Sequence, residues 1–276
     1  MQMDLVGRAL VDGSWCHGTN SSGRFSVLTG SPLGPTEPTG RTVPLEEVAL
    51  GPPLEGVRVI NVMGGFVMPD RPQAAGLPPM WLPKAANFAS GDGGQIPIPA
   101  VLTGPVQIEA ELAVVVGRTL RHASADEARA AIFGWSVFND VTAAEYGAMG
   151  FWAVGKSIDG FTSWGPWIRR DLTEERVMAG LAIVSRVNGV EVQSGNSRHF
   201  KFTPSEMLSH ISHRITLFPG DVVALGTPYP APEVKAGDTS ECEVEEVGIL
   251  HNTFVADSAE MPPGWARPDM ELAGHD

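Results

Sequence analysis

The sequence lacks most features that mark secreted, membrane-spanning or nucleic-acid-binding proteins. Its two cysteines, Cys16 and Cys242, are too few for a disulfide framework and have no C-x-x-C neighbour. No apolar run is long enough to span a bilayer, and no signal segment follows Met1. The formal net charge of −13 disfavours nucleic acid and anionic membranes as partners. We therefore expect a cytoplasmic protein with neither partner.

Several catalytic motifs are also missing. There is no G-x-S-x-G, no G-x-G-x-x-G and no His/Cys cluster at zinc spacing. Gly155-Lys156-Ser157 resembles the end of a P-loop, but the upstream glycine is misplaced and no strand precedes it. Carboxylates at the ends of strands are the remaining candidates for chemistry.

Turn residues divide the chain into three parts. Residues 1–55 are predicted to form a small β-rich module, which ends near Leu50–Pro53 (L-G-P-P). Residues 56–256 are expected to form the main domain, and residues 257–276 a tail that is an arm or disordered. Gly64–Pro83 is irregular enough to predict a loop, either a pocket wall or a surface loop packed on itself.

Local signals predict mostly strands with a few short helices, an α+β fold. Asn188-Gly189 indicates a two-residue hairpin. Capping boxes at Ser124 and Thr203 predict helices over Ala125–Phe133 and from Thr203 to about Ile211. The strands predicted in the main domain include Val57–Val62, Trp135–Phe138 and Val222–Leu225.

The stretch Val106–Gly117, V-Q-I-E-A-E-L-A-V-V-V-G, is predicted to be one strand. Its first half alternates and its second half is apolar on both faces, which is typical of a strand running from water into a core. Glu109 and Glu111 then project side by side. They form either a solvated face or a site, because like charges this close repel unless a cation or proton lies between them.

Asp140 also lies at the end of a predicted buried strand. Three carboxylates at such positions suit a hard divalent cation such as Mg²⁺, which takes part of its oxygen shell from protein and leaves positions for water and substrate.

Five motifs in this order make the sequence resemble the fumarylacetoacetate hydrolase (FAH) family. They are E-A-E-L-A-V-V-V-G, G-W-S-V-F-N-D-V-T-A, G-K-S-I-D-G-F-T-S-W-G-P-W, V-N-G-V-E-V-Q and L-F-P-G-D-V-V-A-L-G-T-P. The resemblance covers roughly residues 1–255 and implies a mixed β-roll or β-barrel core with short helices and a small N-terminal β module. It also implies a homodimer that acts on small 2-oxo or β-diketo acids.

Carried over residue by residue, the resemblance implies Mg²⁺ or Mn²⁺ held by Glu109, Glu111 and Asp140. It places Lys156 beside the metal and Thr227 against a substrate oxygen. From the residues alone, Lys156 is as well explained by an ion pair with a ligand carboxylate as by proton transfer.

The sequence departs from the family pattern at the general base and at the residues that bind an anionic group of the substrate. Phe66 and Pro69 lie near the family's Tyr and general-base His, and no histidine occurs between His17 and His122. The substrate-binding Arg and Gln are replaced by Ala144 and Gly147, and the first threonine of T-G-T-P is Leu225. These changes make the pocket more apolar and disfavour a dicarboxylate substrate.

Candidates to replace the missing base are Glu145, Tyr146 and His199, with Phe66 and Tyr146 expected to contact substrate. Each also has an ordinary surface or packing interpretation. We predict a metal-dependent enzyme that acts on a relatively apolar 2-oxo, β-dicarbonyl or enol substrate by C–C cleavage, decarboxylation, isomerisation or (de)hydration. The pocket changes suit a specialised biosynthetic pathway. The alternatives are a catalytically degenerate binding subunit, an oxaloacetate-type decarboxylase or tautomerase, and a fumarylacetoacetate-type hydrolase.

Overall fold

The computed structural model describes residues 3–67 and 78–257. Its helices are short: α1 Ala125–Arg129, α2 Ala144–Ala148, α3 Trp152–Lys156, α4 Glu174–Ala179 and α5 Pro204–Ser212. The strands are β1 Leu5–Val11, β2 Ser14–Ser21, β3 Arg24–Leu28, β4 Pro38–Pro44, β5 Ala49–Gly51, β6 Val59–Met63, β7 Met80–Lys84, β8 Ala89–Ser90, β9 Gly94–Ile98, β10 Val106–Gln107, β11 Ala110–Val116, β12 Ile132–Asp140, β13 Thr142–Ala143, β14 Thr162–Arg169, β15 Ala182–Val187, β16 Val190–Asn196, β17 Val222–Ala224, β18 Glu233–Val234, β19 Thr239–Val244 and β20 Gly248–Ala256.

The strands form three sheets. The largest has the order β4-β3-β2-β1-β14-β12-β11-β17-β6-β7, with β5 on β1 and β8 on β14. The others are β16-β15-β19-β20-β9 and β13-β10-β18. Most pairs are antiparallel, but β17 with β6, β14 with β8 and β20 with β9 are parallel. The expected mostly-β, mixed α+β fold is confirmed.

β11 is buried on both faces, as its apolar sequence predicts. Ala110, Leu112, Val114 and Val116 belong to one hydrophobic core, which extends to α5 and the five-stranded sheet. Ala113 and Val115 belong to a second core on the opposite face. By alternation along the strand, Glu111 lies on the face of this second core.

The prediction of a single strand over Val106–Gly117 is wrong at residues 108–109. β10 pairs with β13 and β18, whereas β11 pairs with β12 and β17 in the largest sheet. At the break, the Ile108 amide donates to the Pro232 carbonyl at 3.0 Å and the Glu109 amide to Asn139 Oδ1 at 3.2 Å. The chain changes sheets here because partners outside the ladder take these backbone groups.

Two local predictions are confirmed. Asn188 and Gly189 join β15 to β16 with φ of 51° and 77°, the positive values that a tight hairpin requires. Thr203 caps α5 reciprocally with Glu206, and the helix begins at Pro204.

Two predicted boundaries are wrong because tertiary strand pairing replaces the local preference. α1 ends at Arg129 rather than Phe133, since Ile132 begins β12 and pairs with Val116. Residues 80–83 were expected in a loop but form β7, whose pairing with β6 is antiparallel. β7 lies at one end of the sheet, where Pro83 is tolerated.

The N-terminal strands continue the largest sheet, because β1 pairs with β14 as well as with β2. They also enclose a small core of their own that includes Ala9, Phe25 and Val27. The domain division at residue 55 stays a prediction. The predictions for Pro69 and for the tail beyond Asp257 lie outside the described residues.

Candidate metal centre

Glu109, Glu111 and Asp140 meet where β11 and β12 lie side by side. Glu111 is opposite Phe138 in the β11–β12 ladder. The Asp140 amide donates to the Glu109 carbonyl at 3.0 Å, which holds these two acids together. One carboxylate oxygen from each acid lies within 4.8 Å of the others. The structure therefore brings together the three acids that the sequence singled out.

The three carboxylates have different surroundings. Glu111 and Asp140 are 1 % exposed, whereas the side chain of Glu109 is 12 % exposed and is the most open of the three. Burial, then repulsion from Asp140 and Glu109, raises the pKa of Glu111 well above its usual range. Burial also raises the pKa of Glu109. Burial opposes ionisation of Asp140, but Lys156 and Lys84 hold its pKa below the ordinary value.

Lys156 is the last residue of α3 and is 1 % exposed. Its Nζ donates to Asp140 Oδ2 at 2.5 Å, to Glu109 Oε2 at 3.0 Å and to Thr142 Oγ1 at 2.8 Å. Burial alone would lower the pKa of Lys156, but Asp140 and Glu109 raise it overall. The ammonium group thus bridges two of the three acids.

Lys84, on β7, is a second buried ammonium that the sequence reasoning missed. Its Nζ donates to Asp140 Oδ1 at 2.5 Å and to the Phe161 carbonyl at 2.8 Å. Burial lowers the pKa of Lys84, although Asp140 acts in the opposite direction. The available signal was a lysine directly after the short run M-W-L-P, which ends the predicted loop Gly64–Pro83.

The donor set of this cluster fits a divalent cation. When all five groups are ionised, three carboxylates and two ammonium groups leave one excess negative charge. Mg²⁺ and Mn²⁺ favour carboxylate oxygens and keep positions for other ligands. A divalent ion would change the excess to one positive charge, which suits an anionic ligand.

A cavity of about 330 Å³ opens onto Glu109 and Glu111. Its wall is mainly apolar, and Lys156 is the one basic residue that lines it among the residues the structure describes. The other lining residues include Phe66, Trp152, Thr227 and Tyr229.

The strand β17 leads directly into the cavity wall at Gly226 and Thr227. The Gly226 amide donates to Glu111 Oε2 at 2.7 Å, a bond that favours the ionised carboxylate. Thr227 Oγ1 lies 3.0 Å from the Ala110 carbonyl and 3.3 Å from Gln193 Oε1, both acceptors for its one proton.

Gln193 stands behind this wall and was also missed. It is 5 % exposed, and its Nε2 donates to the Pro228 carbonyl at 2.5 Å and to the Pro230 carbonyl at 3.0 Å. Those bonds fix the segment that carries Thr227 and Tyr229. Gln193 ends the motif V-N-G-V-E-V-Q, but a hairpin motif gives no sign of which loop its last side chain will contact.

Of the remaining predicted site residues, only Phe66 lines the cavity. Its ring packs edge-to-face on Phe200 with centroids 4.9 Å apart. The Glu145 carboxylate accepts from Thr103 and Gly104, which keeps it outside the cavity wall.

Tyr146 and His199 do not line the cavity either. Tyr146 packs against a separate apolar cluster around Phe161. His199 lies in a 3₁₀ turn, where its carbonyl accepts from the Val67 amide at 2.8 Å. Glu145, Tyr146 and His199 therefore take no part in the mechanism proposed below, because none of them reaches the cavity.

The fold and the acidic cluster together describe a β-rich protein with a candidate metal centre. Residues 61–255 match the fumarylacetoacetate (FAA) hydrolase C-terminal family, and residues 6–53 match the Rv2993c-like N-terminal family. The chain belongs to the fumarylacetoacetate hydrolase family.

Relatives of known sequence and structure agree with this membership. The uncharacterized protein MJ1656 of Methanocaldococcus jannaschii is 39% identical over 53% of this chain, and the match spans 61% of that relative. The human mitochondrial oxaloacetate tautomerase FAHD2A is 32% identical over 77% of this chain and 71% of its own length. A 2-hydroxyhepta-2,4-diene-1,7-dioate isomerase from Mycobacterium marinum superposes with a TM-score of 0.84 at 27% identity, covering 93% of this chain and 100% of that one.

Within residues 3–67 and 78–257, no helix is long and apolar enough to cross a membrane. The human relative is named as mitochondrial. The cytoplasmic location expected from the sequence stays a prediction.

Proposed function

We propose that this protein is a divalent-metal-dependent enzyme that interconverts the enol and keto forms of a small, relatively apolar 2-oxo acid. In that reaction the enol O–H bond breaks and a C–H bond forms on the adjacent carbon. The observation that carries the proposal is the acidic cluster of Glu109, Glu111 and Asp140, which opens onto an apolar cavity beside Lys156. The activities named for the human and Mycobacterium marinum relatives support this type of reaction.

The three acids would hold the cation, which supplies polarisation of the 2-oxo group when bound. Lys156 contributes a fixed positive charge at Nζ, because two carboxylates keep the ammonium group in place. In this position it would stabilise negative charge on the substrate, and it is the one cationic N–H donor among the described residues that line the cavity. A proton given by Lys156 to the substrate carbon would be replaced by the proton that the enol oxygen releases. Thr227 would position a substrate oxygen at the same end of β11, because its Oγ1 lies 3.0 Å from the Ala110 carbonyl, between Glu109 and Glu111.

Proton transfer is favoured over hydrolytic C–C cleavage by the composition of the wall. Hydrolysis needs an activated water, and no histidine lines the cavity in the described parts of the chain. Decarboxylation also needs no activated water, so it is the next reaction to test. Hydrolytic C–C cleavage and hydration would each require an activated water, and no histidine lines the described wall to activate it.

The test measures turnover of the enol forms of a panel of 2-oxo acids in the presence of Mn²⁺ or Mg²⁺. The readout is the loss of enol absorbance. Lys156→Met should lower kcat by at least about 100-fold, the lower range for a group that acts on transition-state charge. Lys235→Met is the matched control, because Lys235 is exposed and does not line the cavity. Wild-type rates equal to the uncatalysed rate for every acid would contradict the proposal.

A catalytically degenerate binding subunit is the second candidate. It is favoured by the two ammonium groups on Asp140, since Lys84 and Lys156 occupy both of its oxygens and partly neutralise the cluster without a cation. It predicts binding of a 2-oxo acid with no rate enhancement for any member of the panel. Calorimetry run beside the kinetic assay separates the two candidates.

We further propose Mg²⁺ or Mn²⁺ as the ion and a homodimer as the assembly, acting on small molecules in the cytoplasm. Support for the ion comes from the all-oxygen donor set. Support for self-association comes from exposed apolar residues around α3, namely Met149, Phe151 and Val154. Metal analysis of the purified protein and light scattering at several concentrations test these points.

A further inference from the structure

We propose that Trp152 determines which 2-oxo acid this site accepts, by presenting an aromatic face to a planar apolar side chain of the substrate. The inference rests on the proposed function and names the substrate class more closely. It predicts that an aryl-substituted 2-oxo acid is preferred to one that carries a second carboxylate. The supporting observations are the positions of Trp152 and Lys156 on one face of α3, the space at Gly147 and the charge of the cavity wall.

The first observation is the helical register. Trp152 and Lys156 are the first and last residues of α3 and are four positions apart, so they share one helix face. Both line the cavity, and Lys156 Nζ lies 5.9 Å from the centre of the Trp152 ring. Because Lys156 reaches the acidic cluster, the indole is held beside the reacting centre rather than at a remote part of the wall.

The second observation is how the indole is seated. A Cβ added at Gly147 would lie 2.4 Å from the Trp152 ring, so no side chain at position 147 is compatible with this ring position. A Cβ at Gly155 would lie 2.6 Å from the Ala143 carbonyl, which shows how closely α3 approaches the chain before α2. Gly147 therefore lets the ring occupy space that any side chain at this position would fill, and Gly155 lets α3 approach residue 143 closely enough to place the ring there.

The third observation is the balance of charge and apolar surface. The head group of a 2-oxo acid would be recognised at Lys156 and the acidic cluster with its cation. No arginine lines the described part of the cavity, so the described wall offers a second carboxylate no cationic partner beyond that centre. Trp152 remains 37 % exposed and Phe66 also lines the wall, which offers a planar substituent two aromatic contacts.

The experiment compares kcat/KM for the enols of phenylpyruvate and oxaloacetate with Mn²⁺ in the wild type and in Trp152→Ala, Trp152→Phe and Gly147→Ala. The wild type should prefer phenylpyruvate. Trp152→Ala should lower its kcat/KM by about 10-fold, the upper range for one aromatic contact, and change that of oxaloacetate by less than about 3-fold. Trp152→Phe should keep most of the preference, and Gly147→Ala should reduce it by displacing the ring.

Trp15→Ala is the matched control, because Trp15 is 46 % exposed and does not line this cavity. It should leave the preference unchanged. Mn²⁺ titration and thermal unfolding show whether each variant keeps its site and fold, and Trp152→Phe carries the test if Trp152→Ala is unfolded.

Two results would overturn the proposal. One is a wild-type preference for oxaloacetate. The other is a fall in kcat/KM that is equal for both substrates in Trp152→Ala and in Trp152→Phe. The proposed function fails in a different way, with no turnover of either substrate by the wild type.

Discussion

Lys84 Nζ lies 2.5 Å from Asp140 Oδ1, although β7 and β12 are separated by three strands in the largest sheet. Four strand spacings in a flat sheet would place these strands about 19 Å apart. The sheet is therefore curved enough for one lysine side chain to cross its concave side. This contact links the end strand of the sheet to the acidic cluster.

Replacing Lys84 should destabilise the protein strongly. Lys84→Met leaves Asp140 buried with one cation fewer, and breaking a buried pair by removing one partner costs about 3–5 kcal/mol. Urea unfolding of the metal-free protein measures the loss, with Lys235→Met as the control at an exposed lysine. A loss below about 1 kcal/mol, the range of exposed pairs, would show that the contact is not formed in solution.

Glu111→Gln should abolish tight metal binding while preserving the volume of the side chain. Glutamine supplies a neutral oxygen in place of a carboxylate, and even indirect partners of a metal typically contribute about 10–100-fold to affinity, so a direct ligand should contribute at least about 100-fold. Calorimetric titration with Mn²⁺ measures the change. Glu191→Gln, at an exposed position on β16, should bind as the wild type does. Full affinity in Glu111→Gln would remove Glu111 from the site.

Gln193→Ala tests the support of the cavity wall. The change removes the donors to Pro228 and Pro230 and should destabilise the protein by about 1–3 kcal/mol, because the buried Pro228 carbonyl loses its partner. We expect KM to rise more than kcat falls, since Thr227 and Tyr229 move while the acids stay in place. Gln95→Ala, at an exposed glutamine, is the control. An unchanged KM would show that the wall is held without Gln193.

His17 should make stability depend on pH. Burial, and secondarily Arg8, lowers its pKa below the ordinary value of 6.5. The unfolded state then binds more protons at this histidine than the folded state between those two values, so the contribution of His17 to the free energy of unfolding falls as pH drops through this range and is constant above it. His17→Gln should reduce the slope relative to the wild type in urea titrations at several pH values. Identical slopes would show that His17 titrates alike in both states.

The sequence predicted those parts of the molecule that depend on neighbouring residues. The Asn188-Gly189 hairpin and the capping box at Thr203 are confirmed because turn and cap geometry involve only a few adjacent positions. The doubly buried β11 is confirmed because its apolar pattern extends over both faces. The strand break at Ile108 and Glu109 was not predictable, since the groups that take over their hydrogen bonds come from residues 139 and 232.

The same distinction holds for the site. The spacing of Glu109 and Glu111 and the strand end at Asp140 indicated an acidic cluster from the sequence by itself, because alternation and strand ends are local properties. Tertiary structure decided what surrounds that cluster. Lys84 reaches Asp140 through the curvature of a sheet, and Trp152 enters the cavity because Gly147 leaves room for its ring. Such contacts depend on distances between separate elements, which no local pattern encodes.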